Sequence, residues 1–353
     1  MREIQVDLGK IQANYRKLKA IVAPSEVMAI VKANAYGHGM HEVAAALEEI
    51  SVDALGVADL EEAIALRAAG IKSRIMCWIL STEDDFQMAA EQEIELGISN
   101  FAVLDAALAA GVKQIHIKVD TGLGRAGFPK TEWEKVFIKL AGKTIGLFSH
   151  LANTSLEEDL KQEQEFLAAE QVAKTAGVNI SQRHLAATAG ALSYPNMRYE
   201  MVRAGIGIYG LNPWDDRDFS EHQLQPAMRA SARVVNLKRV PAGQGVSYGY
   251  RYITEKETTL ALVPFGYSEG MPRIAVGAKV LIAGKQFEIS GRVAMDQFVV
   301  DVGDHVVALG DEVVIFGDPA NSEPSADELG ASAGTINYEI VTRIGGRAKR
   351  VYL

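Results

Sequence analysis

The residues most open to chemistry in this sequence lie in Ala29-Ile-Val-Lys32-Ala-Asn-Ala-Tyr36-Gly-His38-Gly39, where an apolar run gives way to a loop punctuated by glycine. Val27, Ala29 and Val31 alternate with Met28 and Ile30, so the run reads as a strand buried on both faces with Lys32 at its carboxyl end. A lysine amine so placed can act as a nucleophile or a base. Gly37 and Gly39 allow positive φ or close approach to a ligand, and Tyr36 offers that ligand a hydroxyl. On residue type alone the commoner fate of such a lysine is to snorkel at the surface, so Lys32 gains its meaning from its company. Other polar residues also stand where apolar runs end: Asp120 leading into Thr-Gly-Leu-Gly-Arg125, His150, Thr188 and Arg203.

The elements that must position these residues repeat along the chain. Short apolar runs recur near 27–31, 54–58, 74–80, 94–99, 114–119, 144–149, 184–188 and 201–209. Helix-period segments such as 40–49, 60–69, 101–110, 131–140 and 156–176 separate most of them. Strand then helix, repeated eight times, predicts a (β/α)8 TIM barrel over residues 1–224, although a doubly wound open sheet shares much of the pattern. The barrel is favoured because the polar residues recur at run ends, where barrel enzymes keep their catalytic groups. After Leu224 helical periodicity largely stops. Strand-like runs at 230–240, 258–264, 278–282, 286–290, 298–302 and 312–315 predict a β-rich domain over 225–353. One helix is expected within it, because Ser325-Ala-Asp-Glu328 has capping-box spacing, and 212–222 is the best linker candidate.

Composition narrows the class of function. The 353 residues are 48% apolar and 23% charged, which leaves ample material for a core. A formal charge of -9, with basic residues scattered rather than gathered, argues against nucleic acid as a partner. The single cysteine, Cys77, sits among Ile75, Met76, Trp78 and Ile79; it excludes an internal disulfide and a cysteine-type metal site, and reads as a buried, inert thiol. The amino terminus lacks the apolar core of a signal peptide, and no later run approaches the length of a membrane span. A cytoplasmic protein without membrane or metal partners is expected.

Seven segments in order carry a resemblance to a family: Val31-Lys32-Ala-Asn-Ala-Tyr36-Gly-His-Gly, Lys118-Val-Asp-Thr-Gly-Leu-Gly-Arg125, Met201-Val-Arg203-Ala-Gly205-Ile206, Val246-Ser-Tyr248-Gly, Gly266-Tyr267, Gly291-Arg292-Val-Ala-Met295-Asp296 and Ile336-Asn-Tyr338-Glu. Together they resemble the alanine racemases, isomerases that use pyridoxal 5'-phosphate on a barrel followed by a β domain. The resemblance spans nearly the whole chain. It implies interconversion of L- and D-alanine, supplying D-alanine for peptidoglycan, by a homodimer whose active sites are shared between subunits.

The resemblance also implies roles for single residues. Lys32 would hold the cofactor covalently and serve as base on one face of the substrate, with Tyr248 as the opposing base. A phenol works as a base only where positive neighbours stabilise its anion, and His150 and Arg203 resemble the family's relay to that tyrosine. Arg203 would also donate to the cofactor's ring nitrogen, which a guanidinium does without surrendering its proton. Tyr36, Thr188, Gly205, Ile206 and Tyr338 match the phosphate site, which the loops after strands seven and eight of a barrel commonly form. Arg125 and Met295 match substrate-carboxylate contacts, and Lys118 matches a lysine that is carbamylated in some members. His184, Arg273, Arg292 and Ile336 match positions around the access channel.

Two departures stand out. Ala186-Ala187-Thr188 replaces the Ala-Asn-Ser common in the family, and Ser155 stands where an aspartate is often found at the channel mouth. Three other readings compete: a serine/alanine racemase of broader specificity, a decarboxylase on the same plan, and a pyridoxal-phosphate protein without catalysis. The decarboxylase family places a glutamate where Arg203 stands and a cysteine in the β domain, whereas no cysteine follows Cys77. The lone-barrel carrier would lack the domain bearing Tyr248.

Overall fold

Parallel strands, most of them buried on both faces, build the first of two units in this computed structural model, which describes residues 1–214 and 216–353. In chain order the strands are β1 (Arg2–Val6), β2 (Glu26–Ile30), β3 (Ala54–Val57), β4 (Ile75–Cys77), β5 (Glu95–Ile98), β6 (Ile115–Lys118), β7 (Thr144–Phe148), β8 (Asn179–His184) and β9 (Met201–Ala204). Eight of them form one sheet in the order β8-β7-β6-β5-β4-β3-β2-β9, every recorded ladder parallel. A parallel bridge between Ala187 and Arg203, with Arg203 N donating to Ala186 O at 3.0 Å, joins the two ends and closes the barrel. The expected (β/α)8 architecture is therefore present. The seventh run was expected at 184–188, yet the strand is 179–184. Its sequence, Asn-Ile-Ser-Gln-Arg-His, carries polar side chains and so hides from an apolarity scan.

Several helices between strands start where a side chain can accept an amide hydrogen bond. Asp59, Asn100 and Ser155 do so for the amides of Glu62 (3.1 Å), Val103 (2.9 Å) and Glu158 (3.3 Å). Such caps orient each helix back across its strand. Most barrels fill their interior with branched apolar side chains. Here Glu95, His116, Lys118, His184 and Arg203, all on barrel strands, are each 7% exposed or less. Room for them is made by small residues. Gly146 on β7 lies opposite His116 on β6, and a Cβ there would sit 1.9 Å from the His116 Nδ1. Cys77 is fully buried as expected, and burial, followed by the charge of Asp84, pushes its thiol up.

The second unit contains Met1–Asn14, Tyr36–Gly39 and Tyr209–Leu353. Its strands continue as β10 (Met228–Arg233), β11 (Asn236–Val240), β12 (Gly245–Val246), β13 (Tyr252–Ile253), β14 (Thr258–Val263), β15 (Lys279–Ile282), β16 (Lys285–Glu288), β17 (Phe298–Gly303), β18 (Glu312–Phe316) and β19 (Lys349–Tyr352). A six-stranded sheet runs β16-β15-β18-β10-β1-β19, and a three-stranded one runs β11-β14-β17. The division expected after Leu224 thus needs revision. The first strand of the chain inserts between β10 and β19, pairing antiparallel with one and parallel with the other, so Met1–Asn14 belongs with the β-rich unit. The capping box forms as expected: the Ser325 amide donates to Glu328 Oε2 at 2.8 Å, and the Glu328 amide donates to Ser325 Oγ at 3.0 Å. A second helix, Asn337–Arg343, was not anticipated. The expected linker 212–222 includes Asp215, which lies outside the described residues. Among the described residues no helix is long and apolar enough to cross a membrane.

Filling the space at residue 146 should displace the His116 ring. Gly146→Ala is expected to lose about 1–3 kcal/mol of stability, typical of overpacking. Calorimetry should show a lower unfolding temperature.

Candidate active site

Lys32 leaves β2 at its carboxyl end, as the apolar pattern predicts, but the backbone beyond it is unusual. Ala33, Asn34, Ala35 and Tyr36 have φ of 51°, 55°, 53° and 53°, a left-handed turn made without glycine. Each such residue costs about 1–2 kcal/mol, so the surroundings must hold the turn. They do so with three bonds: Ala35 N to Val31 O at 2.8 Å, Ala33 N to Glu62 Oε1 at 2.6 Å, and Met40 N to Asn34 Oδ1 at 2.9 Å. The Lys32 amine lies 5.9 Å from the centre of the Trp78 ring. Burial and then the nearby Arg125 lower its pKa, against the opposing pull of Glu62.

The barrel unit gathers several cations at the carboxyl ends of its strands. Lys118 on β6 is lowered to about 8, first by burial and then by Arg203 and Arg125. His150 follows β7 and is held well below its ordinary value by burial, then by Arg203, Arg125, Lys118 and Lys32. It is therefore a neutral ring, not the positive neighbour expected from the sequence. Arg203 makes five hydrogen bonds through its two terminal nitrogens: to His184 Nδ1 (2.9 Å) and His184 O (2.8 Å), and to Ser149 O (2.7 Å), Leu185 O (2.9 Å) and His150 Nδ1 (3.0 Å). All are neutral acceptors. Burial lowers the guanidinium to about 9, so it stays charged at neutral pH. These five bonds do not use Nε.

Thr188 opens the short helix after β8, and its Oγ1 accepts from Gly205 N at 3.1 Å. The turn at Gly205 and Ile206 is pressed against it, since a Cβ at Gly207 would lie 2.7 Å from the Thr188 methyl. Arg125 is exposed beyond the glycines of its loop. His184 corrects an expectation. It was placed at the access channel, yet it is fully buried inside the barrel because the last residue of β8 points inward to Arg203.

The second unit holds the remaining residues. Tyr36 and Tyr338 have ring centres 6.1 Å apart, and burial pushes the Tyr36 phenol up to about 12, so its hydroxyl stays a donor. Gly37 follows at φ 80°, where a Cβ would lie 2.1 Å from Val341 O. Tyr248 is 70% exposed in a short turn. That turn is fixed on Gly291-Arg292: Ser247 Oγ donates to Arg292 O at 2.7 Å, and a Cβ at Gly291 would lie 2.7 Å from Val246 O. Met295 is also exposed, with its carbonyl taken by the Ser268 amide at 3.0 Å. Arg273 and Ile336 lie at the surface of this unit, and Arg292 is partly exposed.

The descriptor "Alanine racemase, N-terminal domain" matches residues 6–213, and "Alanine racemase, C-terminal domain" matches residues 227–352. The chain belongs to the alanine racemase family. A protein named alanine racemase from Beutenbergia cavernae is 42% identical, covering 99% of this chain and 97% of that one. Another of that name, from Thermobifida fusca, is also 42% identical with the same coverage. The crystal structure of alanine racemase from D-cycloserine producing Streptomyces lavendulae superposes with a TM-score of 0.96 at 42% identity, covering 100% of this chain and 97% of that one. Alanine racemases are isomerases.

Against that family pattern the two departures have distinct local consequences. Ser155 caps the helix Leu156–Thr175, a task an aspartate performs equally well. Ala187 leaves the helix at Thr188 without a side-chain cap. Sequence reasoning missed Glu95 and His116, although His116 and Lys118 stand two apart on β6 and so share its interior face.

Lys118 predicts a measurable pH dependence. Its folded value is about 8 against an ordinary 10.5, so between these values the unfolded chain binds more protons and stability rises with pH. Urea midpoints compared at pH 8 and pH 10 should show this rise in the parent chain and a smaller one in Lys118→Met.

Proposed function

We propose that this chain interconverts L- and D-alanine with pyridoxal 5'-phosphate as cofactor and two bases, Lys32 and Tyr248. The observation that carries the reading is the pairing of β2 with β9 in the barrel sheet: Arg203 stands on β9 opposite Met28, and Lys32 follows at the carboxyl end of β2. When bound, pyridoxal phosphate supplies a conjugated electron sink that acidifies the substrate's Cα–H.

The residues fit such a group. Lys32 presents an amine of depressed basicity, suited to bonding a carbonyl and later to taking a proton. Arg203 has Nε–H left to donate to a ring nitrogen, and as a guanidinium it keeps its proton. Thr188, Gly205 and Ile206, with the phenols of Tyr36 and Tyr338, would hold the phosphate through neutral donors. Arg125 and the Met295 backbone would take the substrate carboxylate. Lys118, with about half its amine neutral near pH 8, is suited to carbamylation, which needs an uncharged amine.

Tyr248 Oη would move the proton on the face opposite Lys32. The neutral His150 accepts from Arg203 at Nδ1, so its proton sits on Nε2 and is available to that phenol. A catalytic phenol 70% exposed in one chain needs a second surface to enclose it. Tyr250, Ile274 and Met295 of the same unit are likewise more than half exposed, apolar side chains that a second copy would cover. In this reading the working form is a homodimer with Tyr248 of one chain facing Lys32 of the other, acting in the cytoplasm. Its product would supply D-alanine for peptidoglycan. Arg273, Arg292 and Ile336 would line the access path.

Mixing two inactive variants tests this arrangement. Lys32→Ala and Tyr248→Phe chains, exchanged to equilibrium, form mixed dimers as half of the population, each with one intact site of two. About a quarter of parental activity should return. No recovery despite verified exchange contradicts the shared site. Tyr248→Phe alone should slow racemisation by about 10²-fold or more, with Cα deuterium exchange surviving from one enantiomer only. Equal exchange from both would refute the two-base assignment.

A further inference from the structure

Inside the barrel the contacts of Arg203 continue far beyond the mouth. His184 Nε2 meets His116 Nδ1 at 2.9 Å, and His116 Nε2 meets Glu95 Oε2 at 3.1 Å. Glu95 in turn receives Arg74 Nε at 2.7 Å and Arg74 Nη2 at 3.2 Å. Arg74 also donates to Glu26 Oε2 and Gln182 Oε1, both at 3.0 Å. The path descends from the carboxyl end of β9 to the amino ends of β5 and β2. Both nitrogens of both rings and both oxygens of Glu95 are engaged.

The direction of every bond in this chain is fixed by its ends. A guanidinium only donates, so His184 Nδ1 accepts from Arg203 and the ring's proton lies on Nε2. His184 therefore donates to His116 Nδ1, which places the His116 proton on Nε2, facing a carboxylate that only accepts. His184 is held neutral by burial and then by Arg203. The packing leaves the rings no alternative pose. Phe148 stacks on His184 with centres 4.8 Å apart and planes 9° apart, and Gly146 opens the space that His116 fills.

We propose that Glu95, His116 and His184 form a positioning relay that orients the Arg203 guanidinium for its contact with the cofactor ring, with Arg74 setting the relay's polarity from the far end. Glu95 is the carboxylate nearest Arg203 along this chain of bonds, and it reaches the buried cation through two polarised imidazoles. The inference rests on the proposed racemase reading for its catalytic meaning, while the relay itself is tested without turnover.

Nitrogen-15 NMR of the histidine rings in the full chain, assigned by selective substitution, reads the tautomers directly. The parent protein should show His184 and His116 both protonated on Nε2; an Nδ1–H signal at either ring overturns the relay. Glu95→Gln provides the second arm. Arg74 can only donate, so it claims the amide oxygen and turns the amide nitrogen toward His116. Arg203 still holds the His184 proton, and through it the His116 proton, on Nε2, which now faces an amide N–H; that bond should break and shift the His116 Nε2 resonance, and kcat should fall about tenfold with KM within twofold, as expected for losing one charge-assisted hydrogen bond. The double variant Glu95→Gln/Arg74→Met lets the amide oxygen face His116 and should restore both the Nε2 resonance and most of kcat. A merely structural role predicts a worse double variant, because it also loses the Glu26 and Gln182 contacts. An unchanged His116 Nε2 resonance and kcat in Glu95→Gln contradict the proposal. Should that variant fail to fold, the parent spectrum decides alone. Failure of the racemase reading appears separately, as a parent chain with the expected tautomers and no racemisation.

Discussion

A guanidinium taken out of water loses several kcal/mol of hydration, and among the described residues no carboxylate at hydrogen-bond distance of Arg203 offsets it. Three backbone carbonyls and two imidazoles do so instead, which demands that β7, β8 and β9 end at matched heights. Barrel closure meets this demand: the bridge at Ala187 and Arg203 sets the last strand against the loop that supplies Ala186 O. The polar interior follows from the same constraint. Once His184 must accept from Arg203, its other nitrogen needs an acceptor, and His116 and Glu95 extend the requirement to the opposite end of the barrel.

Positive charge acts on the other titrating groups at the mouth as well. Lys32, Lys118 and His150 are each lowered by burial first and by neighbouring cations second. A barrel mouth crowded with positive groups holds part of its amines neutral. It also favours anionic ligands, such as a phosphate or a carboxylate. Lys32 stands apart in its backbone as well. The four left-handed residues after it store strain that Glu62 and Asn34 hold in place, so the lysine is carried on a stiff turn rather than on a mobile loop.

The legibility of this protein in its sequence was uneven for physical reasons. Buried parallel strands announce themselves as apolar runs, so most of the barrel was readable, and the cap spacing at Ser325 located its helix. β8 was misplaced because its interior is polar, and His184 was set beside the access channel because residue type says nothing of which way a strand end points. β1 was assigned to the barrel because sheet partners distant in sequence leave no local signature. The left-handed turn was invisible because alanine gives no hint of positive φ. The motifs that resemble the family supplied Lys32, Arg203 and Tyr248 together, which periodicity alone would not have joined.

A chiral separation over time tests the account most directly. The purified chain, supplied with pyridoxal 5'-phosphate and L-alanine, should carry the mixture to equal amounts of the two enantiomers, since mirror-image species have equal free energies. Substrate that stays L-alanine, with the cofactor demonstrably bound, would contradict the account.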